Sequence, residues 1–471
     1  MLETPTQRRS FLLGLSALTA DQALGFPVCS DSSKQVCNVT RLYSVQSERV
    51  VPVQQLDDIQ IVLKRSNQRV SIGGGRYSMG GQTALLDGIQ LDMRSYKQLL
   101  WLNIAEKTVR VQAGMRWNEL QRIIDPHDLS VQTMQSFANF TIGGSVSVNC
   151  HGRYVGHGAI VHSIRSLQLV LADGQALEAN TTSNAALFYA AIGGYGSVGI
   201  ITEVELNLDD NFKIERKSNR VSLMEYPDWF ASEIQGKQSV LLHNADLTPS
   251  NFESPFCVTW LKSQQTLTQL SRLQIPKKNY AIESLGLWAL TELPAGHRLR
   301  ILSQNQQDKT AVVWRNFEAG LDVKELEPLT KQWNTYVLQE YFVPTKKFRV
   351  YAQALSAMLQ KAPNGTVNVS IRHSKADSLT PLSWANEDVF CFVVYYKQNM
   401  RVKNEINVAL WTQALIDLVL AHQGKYYLPY QLHASKKQFE QAYPNSAILK
   451  KLRQELGASR LSNSLLERYN I

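Results

Sequence analysis

The sequence contains little cysteine: the 471-residue chain has five, and only Cys29 and Cys37 are close together. It has no C-x-x-C motif and no cysteine–histidine spacing typical of zinc. A disulfide bond between Cys29 and Cys37 would require export to an oxidising compartment. Three histidines, His151, His157 and His162, lie in one glycine-rich stretch, but no acidic residue or cysteine pair accompanies them at ligand spacing. We therefore predict no metal site.

No hydrophobic run reaches the roughly 20 residues that a membrane-spanning helix needs. The chain has 44% hydrophobic and 19% charged residues, which is typical of a globular protein, and its length predicts two or three domains. At the N-terminus Arg8 and Arg9 precede a short apolar run, 11–20, which resembles a twin-arginine export signal. We predict a signal-like segment at 1–37 and a periplasmic or exported protein; the alternative is a cytoplasmic protein with an N-terminal extension.

Basic residues exceed acidic ones, giving a net charge of +9, but they form no stripe interleaved with aromatic residues. Lysine pairs recur at 277–278, 346–347, 436–437 and 450–451. This scatter argues against a nucleic-acid partner and favours solvated surface lysines. Peripheral contact with an anionic membrane surface, or a phosphorylated substrate, remains an alternative.

Strand and helix patterns alternate after residue 38 and predict an α+β protein. The stretch "RVSI" is a short strand, and "SIRSLQLVLADGQALEA" predicts a hairpin turning at Asp173-Gly174. The helix predicted in "RWNELQRIIDPHDL" should stop at Pro126. Between residues 210 and 425, apolar runs such as "VFCFVVYY" alternate with helical ones such as "EINVALWTQALIDLVLAH". This part therefore predicts a second α+β domain.

Three glycine clusters, at 73–81, 141–158 and 191–204, lie in the first half of the chain. Glycine allows backbone N–H groups to approach an anion closely, so three clusters predict loops that converge on one large anionic ligand. A Rossmann site would need a helix after the first cluster and an acidic residue such as Asp92. The following stretch "QTALLDGIQLDM" has no helical period, which disfavours that alternative.

The glycine clusters belong to a longer series of motifs that resembles a known family. In order, "GGGRYSMGGQ", "LDMRSYKQL", "VQAGMRWNEL", "GGSVSVNCHG" and "ALFYAAIGGYGSVGIITEVEL" resemble the PCMH-type FAD-binding domain of the vanillyl-alcohol oxidase superfamily. In the second half, "LQEYFVP", "NVSIRHSKAD" and "YLPYQLHASKKQFEQAYP" resemble the aldonolactone and alditol oxidase branch. The decaprenylphosphoryl-ribose oxidases are similar in the "CHG" and "GGYGSVG" segments.

This resemblance implies the architecture. It predicts an FAD-binding domain of two subdomains at 38–208, an antiparallel-sheet cap over the flavin at 209–425, and a return to the FAD-binding domain at 426–471. It also implies which residues hold the cofactor. The first glycine loop should contact the pyrophosphate through Gly73, Gly74, Gly75, Arg76, Tyr77, Ser78, Gly80 and Gly81. The second cluster should contact the flavin through Gly143, Gly144, Ser145, Cys150, His151 and Gly152. The third cluster should contact the adenosine half through Gly194, Gly199 and Ile200.

In many relatives a histidine of the first loop bonds covalently to the flavin. Here Arg76 stands at the corresponding position, so the resemblance predicts non-covalent FAD.

Catalysis in the alditol branch uses a cap-strand arginine, for which Arg372 in "SIRHSKAD" is the match, and a lysine that this sequence lacks. His433, Tyr430 and Lys436 are the alternatives for the missing group. Histidine titrates near neutrality, whereas tyrosine needs a lowered pKa or serves as a hydrogen-bond donor.

The resemblance predicts an FAD-dependent oxidoreductase that oxidises a CH–OH group of a sugar, sugar alcohol or aldonolactone by hydride transfer to flavin N5. D-arabinono-1,4-lactone oxidase is the model for this prediction. The alternatives are a polyprenylphosphoryl-sugar 2-oxidase at a membrane surface and a flavin-binding protein without turnover. Oxygen, a quinone and a cytochrome all remain open as electron acceptor.

Overall fold

A computed structural model of the chain describes residues 34–249, 251–277, 280, 282–286, 310–326, 334–362 and 365–471. The arginine pair Arg8-Arg9, the apolar run after it, Cys29 and Lys278 lie outside the described residues. Export and the signal-like segment therefore stay predictions. Cys37 is disulfide-bonded, and its partner lies outside the described part of the chain. None of the described helices is long and apolar enough to cross a membrane.

The described strands are β1 (Gln35–Cys37), β2 (Ser44–Gln46), β3 (Arg49–Pro52), β4 (Val70–Gly73), β5 (Ile89–Asp92), β6 (Leu99–Asn103), β7 (Thr108–Gln112), β8 (Leu129–Val131), β9 (Ile164–Val170), β10 (Ala176–Asn180), β11 (Ile200–Asp210), β12 (Lys213–Arg220), β13 (Val240–Leu247), β14 (Phe256–Lys262), β15 (Val312–Trp314), β16 (Asn334–Pro344), β17 (Thr366–Ser374), β18 (Val389–Asn399) and β19 (Lys425–Tyr426).

The described helices are α1 (Leu56–Arg65), α2 (Trp117–Ile124), α3 (Ile142–Ser147), α4 (Ala185–Ala191), α5 (Tyr226–Glu233), α6 (Arg315–Glu318), α7 (Phe348–Gln360), α8 (Val402–Ala421), α9 (Lys436–Ala442), α10 (Ser446–Glu455) and α11 (Ser464–Tyr469). Short 3₁₀ turns lie at Met93–Ser95, Asp125–His127, Ile160–Ser163, Val323–Leu326, Thr345–Lys347 and Ala458–Arg460.

The first half of the chain builds two sheets. Strands β3, β5 and β4 form a parallel sheet in that order, and α1 packs Ile59, Val62 and Leu63 against it. Strands β10, β9, β11, β7 and β6 form an antiparallel sheet, and β8 pairs with the end of β11. The hairpin predicted at Asp173-Gly174 joins β9 to β10, and the helix predicted before Pro126 ends at Ile124.

The second half builds one eight-stranded antiparallel sheet in the order β15-β12-β14-β13-β17-β18-β16-β19. Side chains alternate between its faces, as the two-residue period of a strand requires. On β18 Phe390 packs 4.8 Å from Phe348 of α7, and Tyr396 packs 5.0 Å from Trp411 of α8, measured between ring centroids. Helices therefore bury one face of this sheet, which confirms the mixed α+β class and the antiparallel sheet.

The end of the chain lies against the parallel sheet of the first half. Ser462 N–H donates to Val70 O of β4 at 2.9 Å, and Ser464 N–H donates to Ala84 O at 3.1 Å. Arg460 Nη1 donates to Leu63 O of α1 at 2.6 Å. These contacts agree with a C-terminal return, whereas the predicted boundaries at residues 208 and 425 stay predictions.

A buried histidine in the eight-stranded sheet should make stability depend on pH. His243 is 2% exposed, and its Nε2 and Nδ1 lie 2.9 Å from Tyr226 Oη and Thr259 Oγ1. Burial lowers the pKa of His243 to about 3 from 6.5. Because the unfolded chain then binds more protons between these two values, we expect stability to fall as pH drops from about 6.5 towards 3, by a few kcal/mol (roughly 1.4 per pKa unit) for this residue.

The check is the urea midpoint at pH 7 and pH 5. His243→Asn should reduce the pH dependence, whereas His127→Asn at an exposed position should leave it unchanged. An equal pH dependence in all three proteins would contradict the assignment to His243.

Candidate active site

Two adjoining cavities lie where the glycine clusters of the first half meet the eight-stranded sheet. They leave about 930 Å³ and about 640 Å³ free of protein atoms, part of it open to solvent. Six lining residues belong to both cavities: Gly74, Ser78, Thr83, Thr141, Gly144 and Val148. The cavities therefore form one elongated channel, which we call the glycine channel.

Several glycines in the walls of the glycine channel lie where a side chain would not fit. A Cβ atom on Gly74 would overlap Thr141 Oγ1, and one on Gly143 would lie 2.6 Å from Ala113 Cβ. The loop after β4 is held from the far end of the chain, because Met79 N–H donates to Pro429 O at 2.8 Å. Glycine at these positions thus keeps open a long, narrow space.

Many of the predicted cofactor residues line the glycine channel. They are Gly74, Gly75, Arg76, Tyr77, Ser78, Gly143, Gly144, Cys150, His151 and Gly199. The other predicted residues do not line either cavity: Gly73, Gly80, Gly81, Ser145, Gly152, Gly194 and Ile200.

The residues outside the lining have other roles. The Ser145 hydroxyl donates to Gln135 Oε1 at 2.8 Å and accepts from Trp117 Nε1 at 2.9 Å. Ile200 is fully buried beside the parallel sheet. A Cβ on Gly81 would lie 2.6 Å from Ser464, so this glycine accommodates the C-terminal segment. These three residues do not line the channel, and direct cofactor contact by them stays a prediction.

Arg76 sits in the first glycine loop with a left-handed backbone, at φ +62°, which is costly for a residue with a Cβ. Its Nη2 lies 3.2 Å from Asp92 Oδ2, and Arg94 Nη2 lies 2.6 Å from the same oxygen. Burial by itself would raise the pKa of Asp92, but the two arginines outweigh burial and lower it. The carboxylate therefore stays ionised and anchors Arg76 beside the channel.

The face of the eight-stranded sheet that is turned away from the helices lines part of the channel. Glu340 of β16 pairs with Val393 of β18, and Arg372 of β17 pairs with Cys391 of β18. Glu340, Val393 and Arg372 all line the larger cavity. Along each strand these residues alternate with the residues that pack against the helices. Because successive side chains of a strand point to opposite faces, Glu340 and Arg372 lie on the face of the sheet that is turned away from the helices.

Glu340 is the centre of a buried polar cluster, which we call the Glu340 cluster and which also comprises His151, Tyr430 and Arg372. His151 Nε2 lies 2.7 Å from Glu340 Oε1, and the Tyr430 hydroxyl donates to Oε2 at 3.3 Å. Burial by itself would raise the pKa of Glu340, but His151, Arg372 and the Tyr430 hydroxyl together lower it. Glu340 is therefore an ionised carboxylate although it is only 3% exposed.

The predicted catalytic residues separate into two groups. Arg372 and Tyr430 line the larger cavity, and the buried Nε of Arg372 has no hydrogen-bond partner among the residues described. Burial, followed by the charge of Glu340, raises the pKa of Tyr430 well above 10, so this hydroxyl stays protonated and can donate. Both residues are thus available to a ligand of the channel.

His433 and Lys436 are not part of this arrangement. His433 Nδ1 lies 3.1 Å from Thr412 Oγ1 of α8, and Gln413 Nε2 donates to the His433 carbonyl at 2.8 Å. Burial lowers the pKa of His433 to about 4. Lys436 is a surface residue, 3.8 Å from Glu440. Neither residue lines the channel, because the chain turns towards α8 after Tyr430 and carries them away from it. A catalytic role for either stays a prediction without support from this position.

Sequence reasoning missed Glu340, although it quoted the segment "LQEYFVP" that contains it. A carboxylate in an apolar strand was the available signal, because burying an unpaired charge is costly and such a residue needs partners. Those partners, His151 and Tyr430, lie far from Glu340 in the sequence.

Comparison with known proteins identifies the cofactor. Residues 47–180 match the family model described as an FAD binding domain. The chain is 27% identical over 204 residues to L-gulonolactone oxidase of Mus musculus, covering 43% of this chain and 46% of that protein. It is 29% identical over 128 residues to alditol oxidase of a Streptomyces strain, covering 27% of this chain and 30% of that protein.

A third relative is D-arabinono-1,4-lactone oxidase of Debaryomyces hansenii, 31% identical over 107 residues, covering 23% of this chain and 19% of that protein. The chain thus matches less than half the length of each of these relatives. The chain carries a PCMH-type FAD-binding domain, and its cofactor is FAD. More particularly, it is related to the FAD oxidases of the aldonolactone and alditol branch, which confirms the resemblance seen in the sequence.

The channel residues fit FAD. Glycine-lined backbone can approach a pyrophosphate, and the elongated shape suits an extended dinucleotide. The matched family region contains the first and second glycine clusters, which line both cavities.

A methyl group at Gly74 should therefore expel the cofactor. We expect Gly74→Ala to lower the flavin-to-protein absorbance ratio of the purified protein several-fold, because the added Cβ overlaps Thr141 Oγ1. Adding Thr141→Ala removes that oxygen and should restore part of the flavin. Gly365→Ala, where a Cβ meets nothing within 4 Å, is the matched control. Full flavin content in Gly74→Ala would contradict the channel assignment.

Proposed function

We propose that the protein is an FAD-dependent oxidoreductase that oxidises a CH–OH group of a sugar, sugar alcohol or aldonolactone, D-arabinono-1,4-lactone among them. The observation that carries the proposal is the position of the Glu340 cluster at the cap side of an FAD channel. The relatives are named as aldonolactone and alditol oxidases, and these names support the same substrate class. Their names also favour oxygen as electron acceptor.

The residues of the cluster suit a polyhydroxylated substrate. The Arg372 guanidinium stays charged and can donate to a hydroxyl or carbonyl oxygen. The Tyr430 hydroxyl is protonated and can donate or accept, and Glu340 is an ionised acceptor. A substrate with several hydroxyl groups can satisfy donors and acceptors at once.

FAD, when bound, supplies the acceptor for the hydride that leaves the carbinol carbon. Arg372 stabilises negative charge that develops beside it, and the cluster orients the hydroxyl group. Pro429, Tyr427 and Phe137 line the same cavity and place apolar surface beside the polar cluster. A low-dielectric surrounding of this kind strengthens each polar contact.

The flavin is held without a covalent bond in this proposal. The first glycine loop contains no histidine, and Arg76 is engaged by Asp92. The cofactor would extend between the parallel sheet and the antiparallel sheet of the first half, which corresponds to the predicted pair of subdomains.

The substrate class can be tested on the purified protein. We expect a yellow protein that releases its flavin on acid treatment and whose flavin is bleached anaerobically by at least one aldonolactone, alditol or aldose. The measurement is the visible flavin spectrum with each compound in turn, with dithionite as the positive control. Bleaching by dithionite alone would refute the oxidoreductase proposal, and flavin that remains with the precipitated protein would refute non-covalent binding.

The role of Arg372 can be tested with the same substrate. We expect Arg372→Met to lower the rate of anaerobic flavin reduction by about 100-fold, the loss typical of removing one charge-stabilising donor. Flavin content should stay normal. Arg165→Met, on the outer surface of β9, is the control and should change the rate less than twofold. An unchanged rate in Arg372→Met would remove this residue from the site.

A further inference from the structure

We propose that Glu340 is the proton acceptor of the oxidation and that the Tyr430 hydroxyl relays the proton to it. This inference rests on the proposed function, since it assigns the proton that the hydroxyl group loses. The oxidation releases a hydride from the carbinol carbon to FAD and a proton from the hydroxyl oxygen, leaving a carbonyl group.

The geometry favours a relay of two concerted proton transfers. The Tyr430 oxygen donates its hydrogen to Glu340 Oε2 at 3.3 Å, which leaves its lone pairs free for a second hydrogen bond. A substrate hydroxyl in the larger cavity can donate to that oxygen, because Tyr430 and Glu340 both line the cavity. When the substrate O–H bond breaks, a new O–H bond forms on Tyr430 and the original tyrosine proton moves to Glu340 Oε2.

Tyr430 alone does not suit the role of base. Burial and the adjacent carboxylate both raise its pKa, so a tyrosinate at this position is strongly disfavoured. A hydroxyl that gives up one proton while it receives another keeps its neutral form throughout. The relay therefore uses Tyr430 in the only protonation state that its surroundings favour.

His151 positions the acceptor. Its Nε2 lies 2.7 Å from Oε1, the oxygen that does not face Tyr430, so this contact persists when Oε2 takes up the proton. The imidazole is itself held among rings, with centroids 4.8 Å from Trp384 and 5.6 Å from Phe342. The carboxylate thus has one oxygen fixed by the FAD-binding half of the chain and one directed towards Tyr430.

The other ionisable groups around Glu340 do not offer a better acceptor. They are Arg372, which stays charged, and Cys391, Tyr427 and Tyr443, each of whose pKa values is raised well above its usual range, with burial as the main cause. Glu340 is the carboxylate of this cavity among the residues described.

The test compares Glu340→Gln, Glu340→Asp and Tyr430→Phe with wild-type protein in anaerobic flavin reduction. General-base removal commonly costs 10²–10⁴-fold, so we expect Glu340→Gln to lower the limiting rate by at least about 100-fold with little change in the substrate concentration for half-maximal rate. Glu340→Asp keeps a carboxylate and should recover part of the rate. Tyr430→Phe should lower the rate by at least about tenfold.

Two readouts separate proton transfer from a structural effect. The wild-type rate should fall at acidic pH as Glu340 becomes protonated, and Glu340→Gln should lack this acidic limb. Independently of turnover, replacing the buried negative charge should raise the reduction potential of the bound flavin in Glu340→Gln and not in Glu340→Asp. Flavin content and thermal midpoint check that each variant is folded.

Glu318→Gln is the matched control. Glu318 lies 2.8 Å from Arg153, so it also joins the cap side to the FAD-binding half, but it does not line the channel. We expect this variant to keep the wild-type rate, pH profile and flavin potential.

The outcomes distinguish the two proposals. If the wild type is reduced by substrate and Glu340→Gln keeps its rate and acidic limb, the relay is wrong and the oxidoreductase proposal stands. A normal rate in Tyr430→Phe would refute the relay through tyrosine. If no substrate reduces the wild type, both proposals are overturned.

Discussion

The close approach of glycine-bearing backbone segments is the constraint on which the rest of the structure depends. Gly74 lies against Thr141, and Gly143 lies against Ala113, at distances that exclude a Cβ. A third approach, of Gly114 to the Met93 carbonyl, connects the parallel and antiparallel sheets. These contacts hold the chain segments around a long space between the sheets, and that space is what allows an extended cofactor to bind.

The two faces of the eight-stranded sheet have different partners: helices cover one face, and the other face lines this space. Phe390, Phe392 and Tyr396 pack under α7 and α8, while Cys391 and Val393 of the same strand face the channel side. A strand that is buried on both faces has a continuous apolar sequence. The stretch "VFCFVVYY" therefore does not indicate that one of its faces lines a site. The polar residues of the neighbouring strands, Glu340 and Arg372, mark that face.

The sequence predicted the larger part of the fold and the identity of the cofactor. The hairpin at Asp173-Gly174, the helix end before Pro126 and the strand at "VFCFVVYY" all occur, because turn chemistry and periodicity are local properties. Arg372 and Tyr430, two of the predicted catalytic residues, line the channel, and their catalytic role stays a prediction. Choosing among Tyr430, His433 and Lys436 was beyond the sequence, since these residues are three positions apart and the direction of the chain after Tyr430 decides which one reaches the cavity.

What the sequence by itself determined is the class of protein: the order of its glycine motifs implied an FAD-binding domain, and the family match confirms it. What only the tertiary structure decided is the polar cluster at the end of the channel. Glu340, His151 and Tyr430 come from three distant parts of the chain and meet through 2.7 Å and 3.3 Å contacts. No local sequence pattern predicts that these three residues are in contact. The ionisation of a buried carboxylate depends on the charges that folding brings close to it.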